Sequence, residues 1–265
     1  LLLKKKLSFF SFPISFLFEY LEKKQLQKAN NLIIISNDWE QKLLSWNINN
    51  EKIQYIPNWG DIKNIEYLEK KPSSFLNENF LDRDKFRIIY TGTLALKHNP
   101  QIITDIASKN KNIEIVVIGT GTGFQRLENM KHIPSNIKLL PLQPFEKMSH
   151  ILNSADALLA ILNEEASKFS VPSKILNYLC AGKPIILSAP KDNLSTKIIN
   201  DSKSGKSFEP NDLDGINNFL KILLSDKDLK KKYSLNAREY AVRNFNIKKI
   251  SAQFENLINN INFYK

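Results

Sequence analysis

Four short runs of almost unbroken apolar residues limit the folds open to this chain: FRIIYTG (86–92), IEIVVIG (113–119), DALLAIL (156–162) and PIILSA (184–189). Each has the length of a strand, and each is followed by a segment with helical character. A strand that is apolar on both sides must be covered on both sides, and strands separated by helices pair in parallel. With IKLLP (137–141) as a further strand, residues 84–210 are predicted to form an α/β doubly wound, Rossmann-like parallel sheet.

The punctuation supports this division. In HNPQIITDIASK, Asn99 stands as a helix cap and Pro100 at the first helical position, where a missing N–H costs nothing. GFQRLENM and FEKMSHILNSA (145–155) continue as helices. In SVPSKILNYLCAGKP, Pro172 marks a helix start, Gly182 a left-handed end, and Pro184 prevents continuation. NLSTKIIND reads as a helix and GKSFEP as a short strand, and the chain is mostly helical after Asn211. Upstream, residues 19–31 read as a polar helix and LIIIS (32–36) as a strand. NDWEQKLLSW (37–46) reads as an amphipathic helix capped by Ser36 or Asn37, and IQYIP (53–57) as another strand. The polar, turn-rich stretch from 58 to 84 reads as an interdomain linker.

The opening LLLKKKLSFFSFPISFLF is too short and too charged to span a membrane and lacks a small-residue cleavage site. Its aromatics and lysines suit a segment lying on an anionic membrane face, or a buried element of an upstream domain. The net charge of +11 favours anionic partners, though a solvated basic surface explains it equally well. A single cysteine, Cys180, excludes an internal disulfide, and the three histidines are far apart in sequence, so no metal site is indicated.

In an open parallel sheet, ligands bind beyond the carboxyl ends of the strands. Three segments fall there. YTGTLALKHNP offers Gly92 for close backbone approach and Lys97 for a phosphate, or else a turn glycine and a surface lysine. VIGTGTGF places Gly119, Gly121 and Gly123 between a strand and a helix. The spacing is not GxGxxG and no acidic residue follows at a strand end, which disfavours a nicotinamide enzyme. SVPSK puts Lys174 in the first turn of a helix, where the dipole opposes a cation by about 0.3–1 kcal/mol. An anion held by the first-turn N–H groups of Ser173 and Lys174 would reverse that penalty; a side chain pointing into solvent would avoid it.

The succession TGTLALKHNPQII, IEIVVIGTGTG, LLPLQPFEKMSHILNSADALLAIL and SVPSKILNYLCAGKPIILSAP resembles the C-terminal domain of retaining glycosyltransferases of family 4, which have the GT-B architecture of two Rossmann-like domains facing a cleft. LIIISNDWEQKLLSWNINNEKIQYIPNWGD resembles the end of the N-terminal domain. The likeness points to a branch that builds bacterial surface polysaccharides such as O-antigen or capsule. It implies a remnant of the N-terminal acceptor domain at 1–58, a linker at 59–84, a nucleotide-sugar-binding domain at 85–245, and a helix at 246–265 returning to the N-terminal domain, most of which lies outside this chain.

The resemblance also implies a UDP-linked sugar donor, no metal or other cofactor, and a lipid-linked or saccharide acceptor at the cytoplasmic face of the inner membrane. It assigns diphosphate stabilisation to Lys97 and Lys174. Gly92, Thr93, Gly119 and Gly121 shape the donor pocket, Gln143 and Phe145 lie near the base, and Ser170, Ser173 and Asn177 contact the donor. Two positions depart from the family pattern. Its Glu-x7-Glu pair is replaced by Phe169 and Asn177, and Thr93 stands where many relatives have arginine. Rival expectations are a GT-B epimerase acting on UDP-N-acetylglucosamine, which the KHNP and SVPSK segments fit poorly, and a non-catalytic nucleotide-binding or membrane-associated module. Nucleic-acid binding has no recognition motif behind it.

Overall fold

The computed structural model describes residues 11–163 and 173–260, in two compact units. Of the described residues, one unit comprises 11–58 and 247–260. It contains a helix at Ser11–Lys28 (α1), a strand at Leu32–Ile34 (β1), a helix at Asp38–Ser45 (α2) and a strand at Ile53–Tyr55 (β2), with β1 and β2 paired in parallel. Ile34, Leu43, Trp46 and Ile48 form its core. Helix α1 starts well before the polar segment at 19–31, and Phe16, Leu17 and Phe18 on it are exposed. At α2 the cap is Ser36, whose Oγ accepts the Asp38 N–H at 3.2 Å; the Asn37 side chain makes no cap bond. The last helix, Ile247–Asn259, belongs to this unit.

The larger unit, Trp59–Asn246, holds a six-stranded parallel sheet. Its helices and strands are, in chain order, Ser73–Glu78 (α3), Phe86–Thr93 (β3), Gln101–Lys109 (α4), Ile113–Thr120 (β4), Thr122–Glu128 (α5), Ile137–Pro141 (β5), Met148–Asn153 (α6), Ala157–Ile161 (β6), Ser173–Ala181 (α7), Ile185–Ser188 (β7), Leu194–Ser202 (α8), Gly205–Phe208 (β8), Leu213–Ser225 (α9) and Lys227–Asn244 (α10). The spatial order is β5-β4-β3-β6-β7-β8, the doubly wound Rossmann order. The chain reverses direction across the sheet between β3 and β6, which is the topological switch point.

The apolar runs divide their side chains by alternation. Ile89, Val116, Ile118, Leu158 and Leu187 enter one core, and Ile88, Tyr90, Ile115, Val117 and Ile186 the other. Both faces of the sheet are therefore dry, as unbroken apolar strands require. The polar stretch 59–84 joins the first of these cores through Ile65, Phe75, Leu76 and Leu81. Burying each of these side chains contributes about 1.5–3 kcal/mol. Asn99 differs from the sequence expectation: it is left-handed at φ 47° and ends a short 3-10 turn, and Pro100 occupies the cap position of α4.

The amino end of the sheet is held by a buried ion pair. Arg87, with no exposed surface, donates from Nε to Glu114 Oε2 at 2.7 Å and from its terminal nitrogens to the carbonyls of Ser154 and Asp82. Removing one partner of such a pair leaves an uncompensated buried charge and costs about 3–5 kcal/mol. The two remaining carbonyl bonds soften this, so Glu114→Ala is expected to lower stability by about 3 kcal/mol, measured as a fall in the urea midpoint at unchanged m-value.

Candidate functional site

The carboxyl ends of β3 and β6 flank the switch point. Strand β3 ends with Gly92 opposite Gly119 and Thr93 opposite Thr120, and α7 begins at Ser173 in the segment that follows β6. Lys174, in the first turn of α7, reaches this point. A Cβ built on Gly92, whose φ is +96°, would lie 3.9 Å from Lys174 Nζ. The same Nζ sits 3.7 Å from the centroid of the Tyr90 ring, a fully buried aromatic whose hydroxyl donates to the Thr93 carbonyl at 2.8 Å.

The residue as a whole is only half-buried, but its charged end lies against a buried ring. Desolvation pushes the Lys174 pKa down from its ordinary 10.5 to about 7. Among the described residues no carboxylate pairs with it. The dipole penalty of the helix start is a few tenths of a kcal/mol, and burial is the larger effect. Lys174 does not escape into solvent.

A second tyrosine fixes the helix that carries this lysine. Tyr178, fully buried on α7, accepts the Thr91 N–H at 3.0 Å, lies 3.2 Å from Thr91 Oγ1, and donates to the Leu159 carbonyl at 3.3 Å. Burial pushes its pKa up to about 12, so the hydroxyl stays neutral. One side chain thereby ties α7 to both strands of the switch point. Nothing in the sequence marks Tyr90 and Tyr178, because single tyrosines in apolar runs look like core.

The glycine-rich turn serves packing. The Leu94 N–H bonds the Thr120 carbonyl at 2.8 Å, and the Leu94 carbonyl accepts the N–H groups of Gly123 at 2.8 Å and Phe124 at 3.2 Å. Two first-turn amides of α5, which an anion would need, are thus taken by protein. A Cβ at Gly119 would collide with the Gly92 carbonyl, and one at Gly121, where φ is +109°, would come within 2.7 Å of Leu94 O. Glycine lets the loops after β3 and β4 lie against each other, so Gly119 and Gly121 shape the crevice through Gly92 and Leu94.

The remaining sequence candidates are dispersed. Thr93 is exposed at the end of β3. Asn177 uses Oδ1 to accept the Asp61 N–H at 3.3 Å, and a Cβ on Gly60 would touch the Leu176 carbonyl, so Gly60 and Asp61 dock on α7. That contact gives Asn177 a positioning role. Gln143 donates to the Pro141 carbonyl of its own loop at 3.0 Å, and Phe145 is exposed on a 3-10 turn. Both follow β5, two strands away from β3, or about 10 Å at the usual strand spacing. Lys97 falls within the 3-10 turn after β3. Ser170 lies outside the described residues, as do Phe169 and Pro172. At the end of β7 and in the first turn of α8, the buried hydroxyls of Ser188 and Ser195 lack a hydrogen-bond partner among the described residues.

Tyr178→Phe removes the acceptor of the buried Thr91 N–H and is expected to cost about 1–3 kcal/mol. Hydrogen exchange should show faster opening at Thr91 and along α7, with the far strand β8 little affected.

The chain resembles known proteins along most of its length. It is 24% identical over 173 residues to WcaI of Escherichia coli strain K12, which bears the name of a colanic acid biosynthesis glycosyl transferase, covering 63% of this chain and 42% of the relative. It is 24% identical over 244 residues to the glycosyltransferase MJ1069 of Methanocaldococcus jannaschii, covering 88% of this chain and 60% of the relative. The chain thus spans roughly half the length of these curated relatives. The crystal structure of Anabaena Alr3699/HepE in complex with UDP-glucose superposes with a TM-score of 0.75 over 91% of this chain and 67% of that one, at 13% identity. The family model of the glycosyl transferases group 1 matches residues 74–240, which contain the whole six-stranded sheet and both tyrosines of the switch point. The chain belongs to the group 1 glycosyl transferases, a family of GT-B type.

Proposed function

We propose that this chain carries the donor-binding part of a retaining glycosyltransferase. It moves a sugar from a UDP-linked donor to a lipid-linked or polysaccharide acceptor, in the synthesis of a cell-surface polysaccharide. One observation carries the reading: a desolvated lysine, Lys174, is held at the topological switch point over the Tyr90 ring and beside Gly92. When a sugar leaves a nucleoside diphosphate, negative charge develops on the diphosphate. A lysine already in place in a low-dielectric crevice, and protonated as the diphosphate binds, stabilises that charge without reorganisation. The first-turn amides of α7, which have no intrahelical partner, would add to it.

Lys97, in the loop after β3, is assigned as a second cation toward the diphosphate, and the hydroxyls of Ser170 and Ser173 as donor contacts at the start of α7. In this reading the lysines do the work that a divalent metal does elsewhere, and the reaction is metal-independent. The relatives support the substrate class: WcaI bears a name from colanic acid synthesis, and HepE was solved with UDP-glucose. A peripheral position on the cytoplasmic membrane face is supported by the exposed aromatics of α1 and the net charge of +11. Among the described residues no helix is long and apolar enough to cross a membrane.

Calorimetric titration of UDP into the chain should give saturable binding that exceeds GDP and ADP and is unaltered by EDTA. Lys174→Met keeps the packing on Tyr90 and removes the charge, and should weaken UDP binding by about 10–100-fold. Unchanged affinity in a folded variant would overturn the assignment.

Proton linkage gives an independent check. Free Lys174 titrates near 7, and a bound diphosphate raises that value. At a pH of about 8, UDP binding should therefore take up close to one proton, read from the dependence of apparent enthalpy on buffer ionisation. Affinity should fall by up to about tenfold per pH unit above neutrality. For stability the sign is the reverse. Between about 7 and 10.5 the unfolded chain holds this proton and the native chain does not, so the contribution of Lys174 to unliganded stability rises with pH.

A further inference from the structure

The amino end of the sheet, remote from the switch point, carries a cavity of about 320 Å3. Its centre is Asp156, the residue just before β6. Two lysines share this one carboxylate, Lys71 at 2.6 Å from Oδ2 and Lys230 at 3.1 Å from Oδ1. Burial acts to raise the Asp156 pKa, but Lys71 and the Arg87 N–H, which donates to Oδ2 at 2.8 Å, bring the net shift downward, so the carboxylate stays charged. A third lysine, Lys183, stands just ahead of β7. It is almost fully buried, and its Nζ donates to the Leu68 carbonyl at 3.2 Å. Desolvation lowers its pKa to about 8, against the pull of Asp156.

Lys227 and Lys231, on the first turns of α10, line the same cavity, and Glu69 is its only other carboxylate among the lining residues. Five lysines therefore face two carboxylates in one concavity. Asp226 does not line the cavity; its Oδ1 accepts the Leu229 N–H at 2.8 Å as the cap of α10. Like charges gathered in a concave, partly buried place repel one another more strongly than on open surface. A site that keeps them there is suited to an anion of more than one charge. Lysine ammonium groups bind phosphate as point charges from several directions, and the volume accommodates one or two phosphate groups.

We infer that the cavity formed by Lys71, Lys183 and Lys230 around Asp156, with Lys227 and Lys231 at its rim, is a second anion site for a phosphomonoester or diphosphate group. The site is separate from the donor crevice and does not depend on the donor reading. The phosphate belongs either to a free metabolite or to an anionic lipid headgroup, and the two arms of the test separate these sources.

The test uses the chain bearing Lys174→Met, which silences the switch point. Inorganic pyrophosphate is titrated in at low ionic strength. In parallel, the chain is floated with phosphatidylcholine vesicles with and without phosphatidic acid. Saturable pyrophosphate binding that Lys183→Met and Lys231→Glu each weaken by about tenfold or more establishes the site for a free ligand. Flotation that requires phosphatidic acid and falls with the same substitutions establishes it for a headgroup. Lys231→Glu lies at the rim and leaves the buried bonds intact, so it keeps the test valid if Lys183→Met fails to fold. Absence of binding to both probes, or binding indifferent to Lys231→Glu in a folded chain, overturns the proposal.

Discussion

A parallel sheet that is apolar on both faces has only its two ends left for polar chemistry. In this chain β3, β4, β6 and β7 give alternate side chains to two dry cores, and nothing charged is tolerated along their length without a partner. The charged groups are accordingly sorted to the edges. Arg87, Glu114 and Asp156 lie at the amino end, and Lys174 at the carboxyl end. The architecture thus decides where chemistry is possible before any particular side chain does.

The two ends solve the same electrostatic problem differently. Arg87 is buried with a carboxylate and two carbonyls, so its desolvation is answered within the protein. Lys174 is buried against an aromatic ring with no carboxylate among the described residues, and part of its cost is met by giving up its proton near neutrality. A group balanced between charged and neutral forms responds to an arriving anion far more than one already paired. Tyr178 keeps that balance in register, because its hydroxyl bridges Thr91 and Leu159 on the two strands of the switch point.

Much of this was legible in the residues. The period of the apolar runs and the glycine and proline punctuation around α7 specified the sheet and its helices, and the helix-dipole argument singled out Lys174. Other features were hidden, for identifiable reasons. Ile65, Phe75 and Leu76 are isolated among polar neighbours, so the stretch 59–84 reads as polar although it packs into a core. Asn177 stands where the family pattern has its second glutamate, which suggests a donor contact; the sequence does not show that its Oδ1 also accepts the Asp61 N–H, 116 positions away, which only the folded chain brings near. Asn99 read as a cap from its place before Pro100. The left-handed turn it adopts is common to asparagine, and the sequence does not distinguish the two uses.

The glycines are the more instructive case. A GxGxG run between a strand and a helix allows a close backbone approach, by a ligand at the helix amides or by another loop. Close approach does occur, but the visitor is the protein's own Leu94 carbonyl, which takes the amides of Gly123 and Phe124. The neighbouring helix α7 differs in that it brings a lysine into its first turn, with Gly92 facing the ammonium. A glycine run fixes that two backbones meet; only the charge placed beside it distinguishes a ligand from another loop. At this switch point the charge sits on α7, and the glycines after β4 act by holding Gly92 and Leu94 where that charge can be used.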